Sequence, residues 1–360
     1  MSADPAERGQ PGAAGDGPAE TADGPAETAD GPAETADGPA ETAHGPRGRT
    51  PAHPEGRLHG IRLGPVRLAV ADIDRSLDWY GAVLGLRGTA EEAGPGRARA
   101  AALLGGDGAP LVRLLERPGA RPHPPRGRRG LFHYAVLLPG RAALGAFYAH
   151  ARSLGVALGA SDHLVSEALY LADPDGLGIE VYADRPREAW TVTARGPRMA
   201  TLPLNARSLV DAAGGAAWEG PPAGSAIGHV HLHVGDLAAA EAFYGDALGL
   251  EPTVRDYPGA LFLAADAYHH HLGLNTWAGP GAVPPTARDA ALLEWEIVPE
   301  ARATLRAAAA RMREAGFDAP EGGRGGSTSG PPSEASLASA AFTDPWGTTV
   351  VLRSRTVEPS

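Results

Sequence analysis

The chain has 360 residues, 43% of them hydrophobic and none of them cysteine, and it carries a formal net charge of -11. That length predicts two or three domains with proper apolar cores, and zero cysteines exclude disulfides, thiolate metal sites and a cysteine nucleophile, leaving His, Asp and Glu as the strong metal ligands. The acidic balance argues against nucleic acid as the main partner, the lack of any apolar run of about eighteen residues argues against a membrane helix, and the lack of a basic, then apolar, leader makes the cytoplasm the expected location.

Residues 17–44 repeat Gly-Pro-Ala-Glu-Thr-Ala-Asp four times, the last copy ending in His44. A proline in every seven residues costs about 3 kcal/mol in a helix, and no Leu, Ile or Val supplies a seam to offset it. Residues 1–58 are therefore expected to be a disordered acidic tail outside the fold.

Four segments then share one outline: a short strand, an amphipathic helix, and two or three further strands. The first runs from Arg62 to about Glu116, its helix capped by Asp72 with Leu77, Tyr80 and Leu84 on one face. The second, Leu131 to Ala183, opens on the apolar strand Phe132–Leu138 and continues through a helix carrying Leu144, Phe147, Tyr148 and Ala151. It closes on Ala168–Ala172, the turn Asp173-Pro-Asp-Gly176 and the strand Gly178–Tyr182, with Pro fixing φ and Gly accepting φ > 0 in the turn. A connector follows, with a helix expected over Asn205–Ala213. The third segment spans Ile227 to about Trp277 and the fourth Leu292 to Leu352, interrupted by a Gly, Ser and Pro rich surface loop at Glu321–Ser336.

One phrase is written twice. Val66-Arg-Leu-Ala-Val-Ala-Asp-Ile, followed by Trp79-Tyr80 and Leu84-Gly85-Leu86, returns 164 residues later as Val230-His-Leu-His-Val-Gly-Asp-Leu, with Phe243-Tyr244 and Leu248-Gly249-Leu250. A fixed offset without gaps marks duplicated structural units. Just before the phrase, His229 stands in one copy and Pro65 in the other.

In Gly228-His-Val-His-Leu-His-Val234, strand alternation puts His229, His231 and His233 on one face, which is expected to line a polar cup. A second cluster, Tyr268-His-His-His271, sets His270 on the face opposite His269 and His271 if it is a strand; a solvent-exposed tract at a strand start is the alternative. A metal would need a carboxylate besides imidazoles, as in the two-His-one-carboxylate arrangement of non-haem Fe(II) sites. Glu180 fits, because Ile179 and Val181 bury one face of its strand and turn the carboxylate to the other, where a cation would relieve the cost of burial. A sheet-edge glutamate paired with an arginine is the competing assignment.

The phrase His-Val-x-Leu-x-Val-x-Asp-Leu with Phe-Tyr and Leu-Gly-Leu resembles the opening of a vicinal oxygen chelate module, the βαβββ unit of glyoxalase I and the extradiol dioxygenases. The likeness covers about residues 60–353 and is closer to the two-domain bacterial catechol 2,3-dioxygenase type. It rests on Ile227–Val234, on Tyr268–His271 through Leu274-Asn-Thr-Trp277, and on Val165-Ser-Glu-Ala-Leu-Tyr170 through Asp184-Arg-Pro186. It implies an α+β fold of four βαβββ modules forming two cup-shaped mixed sheets. The first domain would be residues 59–183 (modules 59–118 and 129–183), the linker 184–226, and the second domain 227–355 (modules 227–279 and 291–353).

In such modules the ligands come from first and last strands, which implies His229, His270 and Glu180 as the metal set. Asp162-His163-Leu-Val-Ser166 and Tyr170, ten residues before Glu180, imply a substrate-binding tyrosine. The fourth unit has Val351 where a ligand glutamate would stand, and the first has Pro65 and neither acid nor His in Leu111–Leu115. Units two and three are therefore expected to pair, with His133 at the fourth corner as a ligand or as a hydrogen-bonding neighbour. Ring-cleaving enzymes also use an acid-base histidine ahead of the second metal histidine; Val254 to Tyr268 holds none, so His163, His231 or Tyr257 would substitute.

These implications lead to an Fe(II) extradiol dioxygenase that takes a catechol-like aromatic and O2, with Mn(II), Zn(II) or Ni(II) as other metals the donors suit. A glyoxalase-type lyase or isomerase with Glu180 as base, and a non-catalytic binding or resistance protein for a small aromatic, are the alternatives. Neither nucleic acid nor membrane is an expected partner, and homo-oligomerisation stays open.

Overall fold

The structure is a computed structural model in which residues 56–91, 98–194, 196–317 and 338–354 are described. The acidic repeats and the Glu321–Ser336 loop expected from the sequence lie outside these residues. Leu58 is already part of the core, its side chain 1% exposed and its N–H bonded to the Gly249 carbonyl (2.8 Å).

After β1 (Ile61–Leu63), module one comprises β2 (Val66–Val70), α1 (Ile73–Trp79), β3 (Arg87–Glu91), β4 (Ala100–Leu104) and β5 (Pro110–Glu116). Module two comprises β6 (Gly130–Leu137), α2 (Arg141–Ser153), β7 (Gly159–Asp162), β8 (Ser166–Ala172) and β9 (Gly178–Asp184). The connector contributes a small hairpin, β10 (Val192–Thr193) and β11 (Gly196–Pro197), then β12 (Leu202–Pro203) and α3 (Ala206–Ala212). Module three is β13 (Ala226–His233), α4 (Leu237–Ala240), β14 (Glu251–Val254), β15 (Ala260–Ala264) and β16 (Leu272–Asn275). Module four is β17 (Ala291–Pro299), α5 (Arg302–Glu314), β18 (Ser339–Thr343) and β19 (Thr349–Arg353).

The local signals behave as the sequence dictates. Asp72 accepts the Arg75 N–H and Asp236 the Ala239 N–H, so each duplicated Asp caps its helix. Tyr80 and Leu84 are buried on the expected face, in a wider π-turned continuation of α1. Gly176 and Gly347 close the two Asp-Pro turns at φ 78° and 91°, conformations that glycine adopts without strain.

Each curled sheet draws one module from each half of the chain. One sheet runs β18-β19-β17-β2-β5-β4-β3 with β1 on β17, and so joins modules four and one. The other runs β12-β7-β8-β9-β6-β13-β16-β15-β14 and joins modules two and three. In both, the modules meet first strand to first strand in antiparallel pairs, β17 with β2 and β6 with β13. Helices and the apolar faces of both sheets form one large core that includes Tyr80, Tyr134, Phe147, Phe243, Tyr244 and Trp295. No helix among the described residues is long and apolar enough to cross a membrane.

Candidate metal centre

The site lies on the concave face of the sheet shared by modules two and three, where the register places one row of residues side by side. Tyr170 on β8 pairs with Glu180 on β9, Glu180 with Ala135 on β6, and Ala135 with His229 on β13. Laterally paired residues project to the same face, and the methyl of Ala135 is small enough for Glu180 and His229 to meet across it. The His229 Nε2 to Glu180 Oε2 distance is 3.0 Å.

Two bulges aim the donors. Ile227 pairs with Val136 but His229 with Ala135, so Gly228 is an extra residue that turns His229 to the concave face while Ile227 stays in the core. Further along, His231 pairs with His133 and Leu232 with Leu131, leaving Phe132 as the extra residue on β6. Gly228 has a second reason to be glycine: the Tyr182 hydroxyl lies 1.9 Å from where a Cβ would sit. Gly273, opposite His231 on β16, carries the His231 ring directly above it, 2.8 Å from a built Cβ.

His133, Glu180 and His229 converge. One donor atom from each lies within 4.8 Å of the others, all three side chains are buried, and His133 Nε2 is also 3.0 Å from Glu180 Oε2. That contact is off the line of a hydrogen bond, and both His133 Nε2 and His229 Nδ1 are buried atoms without a hydrogen-bond partner. Orphaned buried nitrogens are costly; the orphaned His133 Nε2, together with His229 Nε2 and the buried Glu180 carboxylate, forms a donor set suited to a divalent ion, while the orphaned His229 Nδ1 is not the nitrogen that meets Glu180. Burial alone would raise the Glu180 carboxyl, but the His229 and His133 imidazoles beside it outweigh burial and hold it well below the usual carboxylate range. Burial pushes His229 down, and His231 and His270 well down, so these rings offer lone pairs at neutral pH.

His270, expected as a ligand, stands beside the trio. Its ring centroid is 4.2 Å from that of His229, while its Nδ1 is 2.7 Å from Nδ1 of His269. The segment Tyr268–His271 is a turn leading into β16 and not a strand, so face alternation does not apply to it. His163 and Tyr170 meet as a pair: His163 Nδ1 donates to the Ala200 carbonyl (2.8 Å), which leaves Nε2 to accept from the Tyr170 hydroxyl (2.7 Å). The Tyr170 ring lies 5.5 Å from that of His133.

His231 is held by a residue that pattern reading passed over. Asn275, fully buried, donates through Nδ2 to His231 Nε2 (2.9 Å) and accepts through Oδ1 from His233 Nδ1 (2.6 Å) and the Trp277 N–H (3.0 Å). Burial lowers His233 to about 4. Aromatic side chains wall this end of the cup, with Phe132 5.1 Å from His231 and 5.8 Å from Trp277, and Phe262 5.6 Å from His231. Tyr257, weighed as an acid-base substitute, stacks near Trp277 (6.1 Å) and bonds Thr201 of the connector (3.0 Å).

A family model described as the Glyoxalase/Bleomycin resistance protein/Dioxygenase superfamily matches residues 62–181 and 226–352. The chain belongs to that superfamily. Among curated superfamily relatives, a protein named Catechol-2,3-dioxygenase from Bacillus subtilis (strain 168) is 40% identical over 266 residues, covering 72% of this chain and 90% of that protein. Among solved structures, one from Bacillus subtilis subsp. subtilis str. 168 aligns with a TM-score of 0.53 at 15% identity over 83% of this chain and 86% of its own, which shows the shared superfamily fold. Glyoxalase I from Zea mays aligns over 82% of this chain and 93% of its own with a TM-score of 0.48 at 18% identity.

Proposed function

We propose that the protein is a metal-dependent extradiol dioxygenase that opens a catechol-like aromatic ring with O2. The observation that carries this reading is the convergence of two imidazole nitrogens on the buried Glu180 carboxylate in a curved, aromatic-walled cup. The 40% identity to a curated catechol-2,3-dioxygenase supports it. His133, His229 and Glu180 would hold the metal. When bound, Fe(II) supplies Lewis acidity and the redox capacity that ring opening by O2 requires.

The remaining steps fall to side chains. The Tyr170 hydroxyl, which donates to His163 Nε2 in this structure, would turn to donate to a substrate oxygen, and His163, fixed by the Ala200 carbonyl, keeps the phenol oxygen in place. His270 offers a neutral ring next to His229 that accepts the proton of the substrate hydroxyl. Phe132, Phe262 and the partly exposed Trp277 present flat apolar surfaces to a ring at the mouth of the cup.

Anaerobic loading with Fe(II), followed by oxygen uptake and formation of a yellow ring-opened product over a catechol panel, tests the proposal. One O2 consumed per catechol is expected. A fully metal-loaded protein that leaves every catechol intact refutes it.

A further inference from the structure

A chain of buried and half-buried polar groups runs behind His270 and takes no part in the proposed chemistry. Asp184, at the end of β9, receives two donors: the Tyr268 hydroxyl on Oδ2 (2.9 Å) and His269 Nε2 on Oδ1 (2.9 Å). Tyr268 in turn accepts from the Tyr182 hydroxyl (2.8 Å), whose ring lies 4.8 Å from His229. His269 has no solvent exposure, and its Nδ1 faces only His270 Nδ1, at 2.7 Å.

An ionised carboxylate can only accept, so the proton on His269 sits at Nε2, and in the neutral ring Nδ1 is left as an acceptor. Two nitrogens 2.7 Å apart need one proton between them, and that proton must then come from His270. We propose that Asp184 and His269 are positioning residues that fix His270 as its Nδ1–H tautomer, so that the lone pair is carried by Nε2. The tautomer of an imidazole is set by the hydrogen bond its other nitrogen makes, and here the bond is relayed through a second imidazole to a carboxylate, as a supporting shell does for a functional histidine. The relay gives a role to Asp184 and to the paired histidines of the Tyr268–His271 turn. What the Nε2 lone pair then does, accepting a proton from the ring substrate, rests on the proposed function; the tautomer itself does not.

Long-range proton–nitrogen correlation spectra of the full chain, labelled with 15N-histidine and free of metal and substrate, read the tautomer directly. His270→Gln assigns the ring signals. The wild type is expected to show a protonated Nδ1 and an unprotonated Nε2 at His270. Asp184→Ala is expected to mix the tautomers, and Asp184→Asn, which keeps an acceptor for His269, to restore the wild-type pattern. A wild-type His270 protonated at Nε2, as a cationic His269 would impose, overturns the proposal, and so does an Asp184→Ala spectrum identical to wild type. Neither result depends on turnover, so a failed oxygen-uptake assay leaves the tautomer assignment standing.

Discussion

Replacing Glu180 by Gln removes the one negative charge of the proposed metal set while keeping its shape. Because the His229 and His133 imidazoles hold the Glu180 carboxyl well below its usual range, the metal-free variant should be less stable than wild type at neutral pH, and each protein's metal response is read against its own metal-free Tm. The difference that tests the ligand appears on adding metal. A ligand present at 100 times its Kd stabilises the folded state by about 2.7 kcal/mol, which for a chain of this size raises Tm by about 4–5 °C. Loss of an outer-shell partner alone weakens metal binding about 10–100-fold, so loss of a charged ligand should cost at least the upper figure. At the same metal concentration the variant then gains only about 0.4 kcal/mol, or about 1 °C. Differential scanning fluorimetry with Mn(II) in air and Fe(II) under nitrogen reads both shifts. Equal shifts in wild type and Glu180→Gln would refute the assignment of this carboxylate, whatever the activity of either protein.

Tyr170→Phe should lower kcat/KM about 10–100-fold, the cost of one hydrogen bond to a developing charge. His163→Gln should act through the same hydroxyl, so the double variant is expected to be little worse than Tyr170→Phe alone; additive losses in steady-state kinetics would break the pair. Gly273→Ala puts a methyl 2.8 Å from the His231 ring and should destabilise by about 1–3 kcal/mol in urea unfolding, while an unchanged midpoint would show that the ring has room to move. Asp173 is 5% exposed, and burial raises its carboxyl from 3.8 to about 6. The native state thus binds the extra proton, and its stabilising contribution, fully present below about pH 4, is lost as pH rises through about 6. That loss amounts to about 3 kcal/mol relative to Asp173→Asn, and a wild-type minus variant difference flat between pH 4 and 7 would contradict it.

The four modules were legible through signals that act locally: a capping Asp and a buried helix face in modules one and three, and an Asp-Pro turn closed by glycine in modules two and four. Glu180 was legible for the same reason, being flanked in its own strand by core residues Ile179 and Val181. His133, expected at the fourth corner, reaches Glu180 through the β6–β9 pairing inside its own module, two residues from Ala135 on the same face; the approach of His229 depends instead on the β6–β13 pairing and the bulge at Gly228, and a bulge leaves no simple mark in a pattern of period two. Strand alternation, one of the two assignments open for Tyr268–His271, does not apply where the chain bends into β16, so the relay from Asp184 through His269 follows only from the packing. Ala135 and Asn275 could not be singled out, because a small residue matters only once its lateral neighbours are known.

The duplicated phrase records two separate demands on one scaffold. Its tyrosines bind the Asp-Pro turn of the following module in both halves, Tyr80 to Asp173 (3.1 Å) and Tyr244 to Asp344 (2.9 Å), so the helix–turn clamp was kept in each copy. The concave rows diverged. Where Glu180 faces Ala135 in one sheet, Val351 faces Glu296 in the other, and Arg353 holds that buried glutamate through two contacts, Nε to Oε2 at 3.0 Å and Nη2 to Oε1 at 2.9 Å. Pro65 takes the place of His229, and Arg67, in the place of His231, lies 3.7 Å from Glu294. Every carboxylate in that row already has a guanidinium partner, whereas the row through Glu180 has only imidazoles, two of them with unpartnered buried nitrogens. An arginine neutralises a buried acid permanently and leaves no open position, while neutral imidazoles leave the charge to be met by an ion. The choice between arginine and histidine beside a strand glutamate therefore separates the sheet that is closed by its own ion pairs from the sheet that carries the candidate metal site.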